Sequence, residues 1–145
     1  MPSEYKLDQL FIDIAYRVSC MSHDTERQVG AIIIKDGNIL SIGYNGMPSG
    51  MSNNCKDNKG STNKEVIHAE ANAIVDAAYQ GKSTAGMALA ITHPPCADCA
   101  GIIIQAGITS IIYEATGDDM ERHNGQVALT LFKEALIKIK GVTLC

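Results

Sequence analysis

Two short stretches carry residue types that could work together chemically: His68-Ala69-Glu70 and Pro95-Cys96-Ala97-Asp98-Cys99. Cys96 and Cys99, three positions apart in the first turn of an expected helix, put two thiols on one face, close enough to bind one ion. Pro95 suits the first helical position, because its φ is already helical and no N–H is left unpaired there. The partial positive charge of a helix N-terminus favours the thiolate that a metal requires. His68, at the start of a second expected helix, can add a neutral nitrogen. One His and two Cys leave the fourth tetrahedral position of a zinc ion open to water, which is the pattern of a catalytic rather than a structural site. Glu70, two residues from His68, could take a proton from that water and deliver it elsewhere.

Singly, these residues are ordinary. A lone C-x-x-C could be a redox pair, although thioredoxin-type pairs follow the first strand of their fold and this one comes late. His68 alone could cap a helix, and Glu70 alone could be a first-turn carboxylate favoured by the helix dipole. Their joint occurrence with Pro95, Cys96 and Cys99 points to zinc.

Positioning these residues requires an alternating set of elements. Leu7, Leu10, Phe11, Ile14 and Val18 recur at helical spacing, so about residues 3–20 read as an amphipathic helix. Two apolar runs flanking Lys35-Asp36-Gly37-Asn38 predict an antiparallel hairpin. Residues 46–66, rich in Gly, Ser, Asn and Lys, predict a long loop. A helix from His68 to before Gly81, a buried strand over 87–92, a helix over 96–107 ending at Gly107 and a strand over 108–114 follow. A last helix over 125–141 is expected to carry Ala128, Leu131, Phe132, Ala135, Leu136 and Ile139 on one face, ahead of a short strand over 142–145. Strands alternating with helices imply right-handed crossovers. The expected fold is α/β with three layers: a five-stranded mixed sheet, its first two strands an antiparallel hairpin and its last three parallel, with helices on both faces. Sites in such sheets form where strands end and helices begin.

The 145 residues, 46% hydrophobic and 19% charged, suit one domain over 1–145. A net charge of −4 without a basic run argues against a nucleic-acid partner. No apolar stretch approaches a membrane span, and the first residues lack a basic flank followed by an apolar segment, so a cytoplasmic location is expected. Five cysteines, an odd number, argue against a disulfide scaffold.

The H-x-E and P-C-x-x-C pair is the zinc deaminase signature. Over nearly its whole length the chain resembles the deoxycytidylate (dCMP) deaminase family, in RQVGAIIIKDGNILSIGYNGMPSG (27–50), VIHAEANAI (66–74), PPCADCAGIIIQAGI (94–108) and IIY (111–113). The resemblance implies that His68, Cys96 and Cys99 hold zinc and that activated water attacks C4 of cytosine. Glu70 would act as base and then acid, protonating N3, so that dUMP and ammonia leave. The backbone of Ala69 and the segment through Thr92, His93 and Pro94 would hold the base, Asn45 the sugar and Arg27 the 5′-phosphate, with Asn72 a further candidate near the phosphate. The product would supply thymidylate synthesis. Family members imply a homohexamer activated by dCTP and inhibited by dTTP. The triphosphate, with Mg2+ a candidate companion, would lie beside Gly43, Tyr44, Gly46, Met47 and Ser49. Cys20, His23 and Cys55 invite a second, structural zinc, as in some phage relatives.

One departure stands out. Members commonly carry a phosphate-covering tyrosine a few residues beyond the position of Tyr113, whereas this chain has EATGDDMERHNG over 114–125, where Arg122 or His123 could substitute. Deamination of dCTP or a 5-substituted dCMP, of adenosine in tRNA, or of another free base or nucleoside shares the core signature and stays open at this point, as does a non-catalytic zinc scaffold.

Overall fold

The computed structural model describes residues 1–115 and 125–144. The elements run α1 (Glu4–Ser19), β1 (Gly30–Lys35), β2 (Asn38–Tyr44), α2 (Ala69–Tyr79), β3 (Ala88–Ile91), α3 (Ala97–Gln105), β4 (Ser110–Glu114), α4 (Gly125–Glu134) and β5 (Lys138–Val142). Five strands form one sheet in the order β2-β1-β3-β4-β5. β1 pairs antiparallel with both β2 and β3, while β3, β4 and β5 are parallel. Asp36 (φ 50) and Gly37 (φ 78) close the β1–β2 hairpin with two positive φ values, as a primed turn demands.

Alternation along the central strands splits the core. Ala31 and Ile33 of β1 with Leu89 and Ile91 of β3 face α2, α3 and α4 through Ala73, Ile103 and Phe132. Ile32, Ile34 and Ala90 face α1 through Ile12 and Val18. The three expected layers are present: α1, the sheet, and the other three helices.

Glycine fixes how closely the helices approach. A Cβ on Gly43 would lie 2.3 Å from both the Ala69 carbonyl oxygen and the Ala73 nitrogen, so β2 and the first turns of α2 touch backbone to backbone. Gly43→Ala must push α2, and with it His68 and Glu70, off the sheet. A loss of about 3 kcal/mol is expected, as for other overpacked cores, and a lowered urea midpoint would report it.

The end of the chain departs from its sequence pattern. Helix α4 stops at Glu134 rather than running to 141, and β5 occupies Lys138–Val142 rather than 142–145. The Leu136 N–H donates to the Lys133 carbonyl (3.1 Å) and the Ile137 N–H to the Phe132 carbonyl (2.9 Å), with Leu136 at φ 59. This is a Schellman stop in which Leu stands where glycine is usual. Ile139, expected on the helix face, lies in β5 opposite Ile111.

Candidate active site

Both candidate stretches lie where an extended segment enters a helix. His68 is the N-cap of α2 (φ −69, ψ 155) and Cys96 the N-cap of α3 (φ −83, ψ 167), and neither side chain makes a cap hydrogen bond. Each turns toward the other instead. Cys96 therefore precedes the first turn, and Pro95 stands one position before the cap rather than at the first helical residue. The proline still rigidifies the entry, with Pro95 and Cys96 both buried.

The His68 Nδ1 lies 3.4 Å from the Cys96 Sγ and 3.3 Å from the Cys99 Sγ. Zinc bonds of about 2.3 Å to sulfur and about 2.1 Å to nitrogen make a tetrahedral edge of roughly 3.6 Å, so the donor set fits that ion. Among the described residues this is the one group of three His, Cys, Asp or Glu side chains whose ligand atoms lie within 4.8 Å of one another.

The electrostatics agree. A hydrogen bond from Cys99, with help from His68, draws the Cys96 thiol well below its ordinary range, while the same contact and burial push Cys99 up. The hydrogen bond with Cys96 also raises His68, against its burial. Binding zinc ionises the thiols and needs a neutral imidazole, so loading releases protons. Glu70, in the first turn of α2, is 4% exposed, and burial pushes its carboxyl up toward the range of a general acid.

A cavity of about 150 Å³ opens onto this cluster. His68, Ala69, Glu70, His93, Pro94 and Cys96 line its metal side, and Arg27, Val29 and Asn45 continue the wall. Sequence reasoning missed Val29 and also Asp24, Lys56, Thr62 and Val66, which complete it. Lys56, Thr62 and Val66 belong to the aperiodic 46–66 segment. Asp24 had a faint signal: its Oδ1 accepts from the N–H groups of Glu26 (2.8 Å) and Arg27 (3.0 Å), the local turn that Asp favours.

Two asparagines and a threonine anchor backbone. The Asn45 Oδ1 accepts from Val29 N–H and its Nδ2 donates to the Arg27 carbonyl, both at 2.9 Å, so it builds the wall that carries Arg27 as well as lining the cavity. Asn72 is not among the lining residues; its Nδ2 donates to the Tyr44 carbonyl at 2.8 Å and ties α2 to the end of β2. Thr92 is 1% exposed and also off the cavity surface. Its Oγ1 accepts from Gly30 N–H (3.1 Å) and lies 2.7 Å from His93 Nδ1, bracing His93 from behind. The 116–124 segment, with Arg122 and His123, lies outside the described residues.

Tyr44, Gly46, Met47 and Ser49 line a separate cavity of about 110 Å³ together with His23 and Cys55. Gly43 is not part of it, being packed under α2. Cys20 sits elsewhere, exposed, its thiol 3.5 Å from the Tyr16 carbonyl. Cys20, His23 and Cys55 are therefore not gathered as a second ligand set.

Comparison with known proteins agrees with this geometry. Residues 5–115 match the family model for the cytidine and deoxycytidylate deaminase zinc-binding region. Deoxycytidylate deaminase of Enterobacteria phage T4 is 31% identical, covering 88% of this chain and 91% of that one. The Mus musculus enzyme of the same name is 34% identical, covering 93% and 76%. The crystal structure of dCMP deaminase from cyanophage S-TIM5 in complex with dCMP and dUMP superposes with a TM-score of 0.82 at 34% identity, covering 97% of this chain and 98% of that one. With a zinc-compatible His and Cys pair beside a buried glutamate, the chain belongs to the cytidine and deoxycytidylate deaminase family.

Proposed function

We propose that this chain hydrolyses dCMP to dUMP and ammonia. The observation that supports this most is a single cavity lined by Glu70 and His68 and also by Arg27, so that a reactive centre and a cationic residue share one space. His68, Cys96 and Cys99 would hold a zinc ion, which would supply the Lewis acidity that lowers the pKa of water toward neutrality. Glu70 would take one proton of the water and pass it to N3 of cytosine as the oxygen bonds to C4, then carry the remaining proton of that new hydroxyl to the amine, so that the C4–N bond breaks, C4=O forms and ammonia leaves. Ala69, His93 and Pro94 hold the base against this carboxyl. Arg27 accepts the 5′-phosphate through its fork.

Regulation is part of the same reading: dCTP activates and dTTP inhibits at the small cavity of Tyr44, Gly46, Met47 and Ser49, with Mg2+ accompanying the triphosphate, in a homohexamer. Ligand thiols that must stay reduced suit the cytoplasm; no helix among the described residues is long and apolar enough to cross a membrane.

The test is to follow conversion of dCMP, deoxycytidine, dCTP and 5-methyl-dCMP by chromatography, with inosine formation in tRNA as a further arm. The expected result is dUMP and one ammonia per dCMP, with dCMP preferred over deoxycytidine. Arg27→Met should lower that preference by about tenfold to a hundredfold, the loss expected for one hydrogen-bonded charge. Turnover of tRNA without turnover of dCMP would overturn the reading.

A further inference from the structure

Lys56 has no role in the reaction as derived so far, yet it lines the reactive cavity. It is not an idle surface lysine. The 46–66 segment contains a tight hairpin: Asp57 N–H donates to the Ser61 carbonyl and Asn63 N–H to the Cys55 carbonyl, both at 2.8 Å, with Lys56 and Thr62 bridged as partners. The turn is pinned by the Asp57 carboxylate, which accepts from the N–H groups of Lys59 (2.8 Å) and Ser61 (2.9 Å). The backbone under Lys56 is thus built, and its side chain is 18% exposed.

We infer that Lys56 is the second cation of the phosphate subsite, delivered by the 55–63 hairpin to the wall that Arg27 occupies. The inference rests on the monophosphate reading above.

Charge on that wall decides the matter. Asp24, its side chain 3% exposed, is ionised: burial opposes this, but the N–H groups of Arg27 and Glu26 and the Lys56 ammonium outweigh burial and hold it below the usual carboxylate range. One buried anion would cancel Arg27 and leave a wall with no net attraction for a phosphate. Lys56 offsets that buried anion, and with Arg27 it is one of two Lys or Arg side chains among the described lining residues.

Its present contacts leave it able to serve. The Nζ donates to Thr62 Oγ1 at 2.9 Å, but lies 3.5 Å from Asp24 Oδ2 and 3.6 Å from Glu26 Oε2. Charge-assisted bonds run to about 2.7–2.9 Å, so both carboxylates are held at a distance. Glu26 is 68% exposed, and such a pair contributes well under about 1 kcal/mol. Exchanging Glu26 for a dianionic phosphate, while keeping Asp24 and Thr62, gives up little and gains a close contact. Thr62 steers the ammonium and stands at the same wall.

The measurement is the ratio of kcat/KM for dCMP over that for deoxycytidine. Lys56→Met should lower it by about tenfold to a hundredfold, mostly through KM for dCMP, and Lys56→Arg should restore most of it. In the unaltered enzyme, dUMP should protect Lys56 from acylation, read by mass spectrometry, while deoxyuridine should not; this arm stands even where a variant fails to fold. A wild-type enzyme without preference for dCMP overturns both the monophosphate reading and this inference. A clear preference that survives Lys56→Met, or equal acylation with and without dUMP, overturns the role of Lys56 alone.

Discussion

Replacing Glu70 with Gln is expected to lower kcat for dCMP by about 10²- to 10⁴-fold, the range for loss of a positioned proton carrier. Zinc content should stay at one per chain, because Glu70 is not in the His68, Cys96, Cys99 donor set. The substitution is nearly isosteric, so the buried position keeps its volume and the fold its stability. What is lost is the labile proton. Burial raises the Glu70 carboxyl, which brings its proton affinity nearer to what a group acting first as base and then as acid must have. An amide has no such affinity. Rate and metal content measured on one preparation therefore separate proton transfer from metal loss. A Gln variant that turned over dCMP at the wild-type rate would remove Glu70 from the chemistry.

Cys99→Ser is expected to abolish measurable turnover and strip the zinc, because a hydroxyl at that position cannot replace a thiolate for a borderline-soft ion. Stability should fall with it. Zinc bound only by the folded chain stabilises by about 4 kcal/mol when free zinc exceeds Kd a thousandfold, which for a domain of this size lowers Tm on the order of ten degrees. The loss is concentrated because α2 and α3 enter the site through the N-caps His68 and Cys96, which make no side-chain cap of their own. Their convergent positive ends are best satisfied by thiolates and metal. Cys20→Ser is the control. Cys20 is exposed and outside the cluster, so its replacement should keep zinc and Tm. Calorimetry with zinc analysis on the three proteins checks this.

The gathering of His68, Cys96 and Cys99, with Glu70 in the first turn of α2, was legible from spacing and residue type because zinc chemistry would constrain both. A thiol pair needs one helix start, an imidazole a second, and a carboxylate a place beside them. The sheet was legible for a similar reason: β1 and the Asp36-Gly37 turn combine apolar runs with positive-φ residues. The α4–β5 boundary was not. Leu136 takes a left-handed conformation with no glycine to announce it, and Leu131, Phe132, Ala135 and Leu136 continue a helical period across the stop.

The far wall of the cavity was equally hidden. The 55–63 hairpin is held by Asp57 and a turn at Gly60 rather than by apolar alternation, so nothing periodic marks Lys56 or Thr62. Asn45 reads as a turn residue in one dimension, yet in space its amide bonds the backbone of Arg27 and of Val29, eighteen and sixteen residues earlier in sequence. Networks of side chain to backbone bonds over such distances leave no local pattern.

Zinc K-edge X-ray absorption on the purified protein tests the central claim most directly. The expected result is one zinc per chain with two sulfur neighbours, one imidazole nitrogen and one further light-atom neighbour, the last altered when dUMP is added. Absence of zinc, or a closed shell of four protein ligands indifferent to nucleotide, would contradict it.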